Sequence, residues 1–270
     1  MMTTATKTNI APVNGINLYY EVHGEGQPLV LLHGGLGAIE MFGDNLTQLA
    51  AGRQVIAVDL QGHGRTADID RPISLEAMAD DVAALIKYLG IKQADVMGYS
   101  MGGGVAVQTA IRHPEVVRKL VAVSFPFTRE GWYPDIRQAM SQNSAANAEP
   151  MKQTPMYALY SQIAPRVEDW PVLLNKMGEM LLREYDYSEG IKTIKAPTLL
   201  VTGDADSVQP SYAVKFYELL GGGKADGGWD GSGIPNAQMA ILPATTHYTI
   251  FSSPALAAVA IPFLDAPLAK

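Results

Sequence analysis

The pentapeptide Gly98-Tyr99-Ser100-Met101-Gly102 is the pattern in this 270-residue chain best suited to chemistry. A serine hydroxyl is a weak nucleophile unless it is exposed, strained into position and paired with a base. A sharp turn from a strand into a helix supplies the exposure. Glycines two residues to either side let neighbouring backbone pass without a Cβ clash. The same turn puts the N–H of Met101 at a helix start, where unpaired donors and the helix dipole favour a developing anion. Gly103 and Gly104 thin that first turn further. The five-residue pattern alone is common, so its weight depends on a strand before it and a helix after it.

Both elements are expected. Ala94–Tyr99 (ADVMGY) reads as a strand, and a helix follows from about Met101 to His113. Around them, Ile16–His23, Pro28–His33, Gln54–Asp59 and Lys119–Ser124 read as further strands; the second is apolar on both faces, as a central strand should be. Leu75–Leu89 has its apolar residues at helical spacing, with Ser74 placed as an N-cap and Gly90 as the closing glycine. Strand and helix in alternation predict an α/β fold with a mostly parallel central sheet and helices on both faces. The rhythm stops at Phe125 and resumes at Ala196–Asp206, a helix after Pro210, a strand over Gln238–Pro243 and a final helix from Pro254. Residues 1–124 and 191–270 are therefore read as one core domain, and 125–190 as an inserted helical cap.

Composition narrows the function. The chain has no Cys, which excludes thiol nucleophiles, thiolate metal sites and disulfides. Its 20 Lys+Arg against 27 Asp+Glu give a net charge of −7, with no basic run to follow phosphates or an anionic membrane. No apolar stretch reaches the roughly 18 residues that span a bilayer. The opening MMTTATKTNIAPVNG has no apolar run behind its lysine, so a cytoplasmic location is expected. The glycine-rich stretch 221–233 lacks the order of a phosphate loop, and its Asp226 and Asp230 miss calcium-loop spacing, so it is read as a connecting loop.

With its elbow-like pentapeptide after a strand, the sequence resembles the α/β-hydrolase superfamily over nearly its whole length, from YYEVHGEGQPLVLLHGG to the final helix. That family orders its catalytic triad as serine, acid, histidine. The resemblance places the nucleophile at Ser100, the acid at Asp206 in LLVTGDAD, and the base at His247 in LPATTHYTIF. Asp204, closer to the strand, is read as a support for the turn. The oxyanion hole falls to the N–H of Met101 and that of Gly35 in the His33-Gly34-Gly35-Leu36 loop, with Leu36 as the neighbouring candidate. His33 and His63 are read as braces for active-site backbone, His113 as the close of a helix and His23 as a strand end.

The cap concentrates Trp, Tyr, Phe and Met. A small helical insertion needs its own core, and an apolar wall over Ser100 would use the same residue types. The residues expected to line the substrate pocket are Leu36, Tyr99, Phe125, Trp132, Tyr157, Tyr160, Met177 and Tyr248. The expected function is hydrolysis of small to medium apolar carboxylic esters through an acyl-enzyme, with no cofactor and no metal. Lactonase, carbon–carbon bond hydrolase, thioesterase and perhydrolase activities share the triad. A non-catalytic small-molecule receptor on the same fold is the alternative of another class. The expected partner is an ester or lactone, not nucleic acid or a membrane; a second copy of the chain is a further candidate.

Overall fold

The computed structural model describes residues 7–268; the first six residues, which begin the stretch read for a leader, and residues 269–270 lie outside the described residues. Eight strands form one sheet: β1 (Lys7–Val13), β2 (Ile16–His23), β3 (Gln27–Leu32), β4 (Arg53–Val58), β5 (Ala94–Tyr99), β6 (Val117–Val123), β7 (Thr198–Ala205) and β8 (Ala237–Thr246). Their spatial order is β1-β2-β4-β3-β5-β6-β7-β8. β2 runs antiparallel to β1 and β4, and every later pairing is parallel. The sequence reading starts the sheet at Ile16 and omits β1, whose first four residues are exposed and carry no buried face. The signal available was Asn14-Gly15, both at positive φ, a two-residue hairpin turn that matches strand twist.

The central strands are apolar on both faces because both faces are covered. Leu29 and Leu31 of β3 pack on one side with Val55, Met97, Val121 and the helices α1 (Asp44–Ala50) and α10 (Pro254–Asp265). Val30 and Leu32 pack on the other with Ile56, Val58 and the helices α2 (Leu75–Tyr88) and α3 (Met101–Arg112). α2 starts where the sequence says: Ser74 Oγ accepts from the N–H of Ala77 at 3.1 Å, and Gly90 takes φ +70° just past its end.

Between β6 and β7 the chain leaves the sheet for α4 (Pro134–Met140), α5 (Ala148–Met151), α6 (Pro155–Ile163), α7 (Trp170–Leu182) and α8 (Ser188–Ile191). The anchor of this insertion is Trp170, fully buried, whose indole N–H donates to the Ala148 carbonyl at 3.2 Å. The Tyr157 and Tyr160 rings lie 5.3 and 5.1 Å from it. α8 packs against α3 and against α9 (Pro210–Leu219), so the chain has rejoined the sheet's helical layer by that point. The 221–233 stretch forms turns, and Asp226 and Asp230 accept from the N–H groups of Gly228 and Ser232, which occupies one oxygen of each carboxylate on its own loop.

Candidate active site

Ser100 sits between β5 and α3 at φ +53°, a conformation that L-residues rarely adopt. Its N–H donates to the Val123 carbonyl at the end of β6 at 2.9 Å, which fixes the turn to the neighbouring strand. Both glycines of the pentapeptide are required by crowding. A Cβ on Gly98 would run into the Gly102 carbonyl, and one on Gly102 would meet the His33 carbonyl at 2.5 Å. α3 can therefore press against β3 and β5, and the Ser100 side chain is left at the top of the sheet.

His247 follows β8, and Asp206 follows β7. His247 Nε2 lies 3.0 Å from Ser100 Oγ, and its Nδ1 lies 2.8 Å from Asp206 Oδ1. With the ring proton on Nδ1, the imidazole donates to Asp206 and accepts from Ser100. The ring is held from several sides. Tyr99 donates its phenol to the His247 carbonyl at 2.6 Å, and Trp132 meets the ring edge-on at 5.4 Å. Burial pushes the Tyr99 phenol up, which keeps it a donor.

Asp206 is 5% exposed. Burial works against its charge, but hydrogen bonds from His247, Ser124 and Gly203 outweigh it and hold the carboxyl below the usual carboxylate range. Oδ2 accepts from Ser124 Oγ at 2.5 Å, Gly203 N–H at 3.1 Å and Thr202 Oγ1 at 3.2 Å; Oδ1 also accepts from Val208 N–H at 3.1 Å. Asp204 points elsewhere. Its carboxylate accepts the Thr245 N–H at 3.1 Å and ties the end of β7 to β8.

The loop after β3 turns through Leu36, at φ +56°, with Gly37 N–H donating to the Gly34 carbonyl at 3.2 Å. Gly35 backs onto the first residue of α3: a Cβ there would lie 4.0 Å from Met101 Cβ and 2.8 Å from the Met177 methyl. The Gly35 and Met101 backbones thus flank the same space beside Ser100. Buried groups brace this loop from below. Asp59 accepts from Ile39 N–H at 3.0 Å, and His33 accepts the Leu60 N–H on Nε2 at 3.0 Å while its Nδ1 meets the Gly34 carbonyl at 2.7 Å.

Ser100 and His247 open into a cavity of about 830 Å³ with mostly apolar walls. Of the residues expected from sequence, Leu36, Tyr99, Phe125, Trp132, Met177 and Tyr248 line it. Tyr157 and Tyr160 do not: their rings pack on Trp170 inside the insertion, where a helix bundle this small needs its aromatic bulk. Sequence reasoning missed Met41, Leu75 and Phe251, which lie outside residues 125–190 and reach the cavity only through folding. It also missed Ser124. Charged side chains gather at one part of the wall, where Arg129 pairs with Glu184 at 2.9 Å and Tyr187 donates to Glu76 at 2.9 Å.

The sequence profile of the alpha/beta hydrolase fold matches residues 27–142. The chain is 30% identical over 248 residues to a protein of Azorhizobium caulinodans named "Putative carbamate hydrolase RutD", covering 86% of this chain and 88% of that one. It is 27% identical over 242 residues to the bifunctional esterase/perhydrolase DCH of Acinetobacter calcoaceticus, with 78% and 87% covered. Among solved structures, the carboxylesterase CesB of Bacillus subtilis superposes with a TM-score of 0.75 at 18% identity, over 98% of this chain and 94% of that one. The chain belongs to the α/β-hydrolase family.

Proposed function

We propose that this protein is a serine hydrolase that cleaves small to medium apolar carboxylic esters through an acyl-enzyme. The observation that carries this reading is the unbroken run of hydrogen-bonding distances from Asp206 through His247 to Ser100, ending at the mouth of an apolar cavity. Ser100 Oγ adds to the ester carbonyl while its proton passes to His247 Nε2. The N–H groups of Met101 and Gly35 receive the charge on the carbonyl oxygen, an interaction worth about 10²–10³ in rate per donor. The bond to the alcohol oxygen breaks as His247 returns the proton to it. Water then attacks the acyl-enzyme, giving its proton to His247, and the acid leaves as Ser100 Oγ is reprotonated. Asp206 orients the imidazole and stabilises the imidazolium throughout. Residues 125–190 act as the cap that closes the apolar cavity over the acyl group.

A carbamate is the second reading, favoured by the relative named for carbamate hydrolysis. The same serine would then carry a carbamoyl group. The test is a panel of p-nitrophenyl alkanoates of increasing acyl length with a p-nitrophenyl carbamate beside them, run on wild type and Ser100→Ala. Wild type is expected to turn over short and medium esters and to be labelled by a fluorophosphonate. Ser100→Ala is expected to lose both. Turnover by folded Ser100→Ala at wild-type rate, or no labelling of folded wild type, overturns the mechanism; a preference for the carbamate selects the second reading.

A further inference from the structure

Ser124 is the residue after β6, and it takes φ +52° although it is not glycine. A positive φ at an L-residue costs free energy that glycine would avoid, and at Ser124 the side chain contributes something in return. What it contributes is a hydroxyl, 1% exposed, that donates to Asp206 Oδ2 at 2.5 Å. The backbone on either side is fixed. Ser124 N–H donates to the Val201 carbonyl of β7 at 2.8 Å, and the preceding carbonyl, Val123, accepts the N–H of Ser100. Two adjacent residues at the end of β6 therefore hold the backbone of the proposed nucleophile and the carboxylate of the proposed acid together. The next residue, Phe125, is already a wall of the cavity.

We propose that Ser124 is a positioning residue: its hydroxyl fixes the rotation of the Asp206 carboxylate so that Oδ1 faces His247 Nδ1. This rests on the serine-hydrolase reading above. The other donors to Oδ2 do this less well. The Gly203 N–H, from the same strand end, stands at 3.1 Å, and the Thr202 hydroxyl stands at 3.2 Å and lies within 3.4 Å of the Gly203 carbonyl as well. Among the described donors to Oδ2, only Ser124 comes from a strand other than β7, so it ties that oxygen through the end of β6 to the β5–α3 turn. By drawing charge from Oδ2, the hydroxyl also moderates how strongly Asp206 stabilises the imidazolium. The other titratable groups recorded about the imidazole are Tyr99 from β5, which donates to the His247 carbonyl, and Tyr248, whose ring lies 5.6 Å from it. Both remain in a Ser124 variant.

Two variants separate the hydroxyl from the strain. Ser124→Ala removes the donor and keeps the positive-φ cost, whereas Ser124→Gly removes both. Both are expected to lower kcat for a p-nitrophenyl ester by about tenfold with KM within about twofold, the size of one charge-assisted hydrogen bond to a catalytic group. Unchanged kcat in both variants overturns the proposal, and so does a loss carried by KM with kcat unchanged. So does a loss in Ser124→Ala that Ser124→Gly restores, since backbone strain would then be the cause. Ser100→Ala and fluorophosphonate labelling are measured alongside. If they fail, the serine-hydrolase reading fails; if they hold and the Ser124 variants behave as wild type, this inference alone fails.

Discussion

At Asp206 two influences oppose each other: burial disfavours the charge, and hydrogen bonds led by that from His247 restore it. An ionised Asp206 keeps the His247 proton on Nδ1, which leaves Nε2 able to accept from Ser100. Asp206→Asn keeps the shape and removes the charge, so the imidazole loses both its tautomer and its counter-ion. The expected result is a kcat lower by about 10³–10⁴ with little change in KM, since Asp206 does not line the cavity. Steady-state kinetics on a single p-nitrophenyl ester check it, and a loss confined to KM would argue that Asp206 serves the pocket instead. Asp204 is the natural comparison. Asp204→Asn removes an exposed charge while its remaining oxygen can still accept the Thr245 N–H, and it is expected to leave kcat within about threefold.

α3 begins Met-Gly-Gly-Gly, an unfavourable composition for a helix, as each interior glycine costs about 1 kcal/mol relative to alanine. Packing explains the choice. Gly102 lies on the backbone of β3, and a Cβ on Gly104 would press on the Phe125 ring and on Leu75 at 2.7 Å. Gly102→Ala is therefore expected to destabilise the protein by about 2–4 kcal/mol, since the clash is with sheet backbone that cannot give. A lowered urea midpoint at unchanged slope measures this. Gly52, with nothing within 4 Å of a built Cβ, supplies the control: Gly52→Ala should fall within about 0.5 kcal/mol of wild type. At this scale the sequence was informative for the elbow and uninformative for the helical insertion between β6 and β7. The elbow is a local motif whose glycines, strand and helix are contiguous. The insertion's aromatics divide between the Trp170 cluster and the cavity according to which way each short helix faces, and composition does not encode that.

For the molecule as a whole, the buried histidines set the acid limit. Burial, opposed in part by a backbone hydrogen bond, lowers His33 to about 4, and burial with the charge of His33 lowers His63 to about 3, against an ordinary value near 6.5. Both stay neutral in the fold. As pH falls below about 6.5 the unfolded chain takes up these protons first, so the stability they contribute is lost from there down through pH 4 and 3. Asp59 acts in the opposite sense. Burial raises it to about 6 despite the N–H groups of Arg65 and Ile39, so it takes up its proton in the fold first and offsets part of the loss between pH 6 and about 4. The two histidines outweigh Asp59, and urea midpoints are expected to fall steadily between pH 6.5 and 4. His63→Gln, which cannot take up a proton, is expected to flatten that slope, and an equally steep slope in the variant would remove His63 from the account.

The sequence by itself determined the α/β architecture, the placement of Ser100 between strand and helix, and the chemistry open to a chain without cysteine. These follow from local spacing: apolar runs of strand and helix length, glycines at fixed offsets and cap residues at helix ends. Resemblance added Asp206, His247 and Gly35, which no local pattern in the chain would have joined. Only the tertiary structure decided how Ser124 meets Asp206 across 82 residues, how Met41 and Phe251 come to line the cavity, and that Tyr157 and Tyr160 turn away from it. The physical reason is the same in each case. Those contacts depend on which strand lies beside which and on which face of a helix is buried, and both are settled by packing the entire sheet and its insertion together.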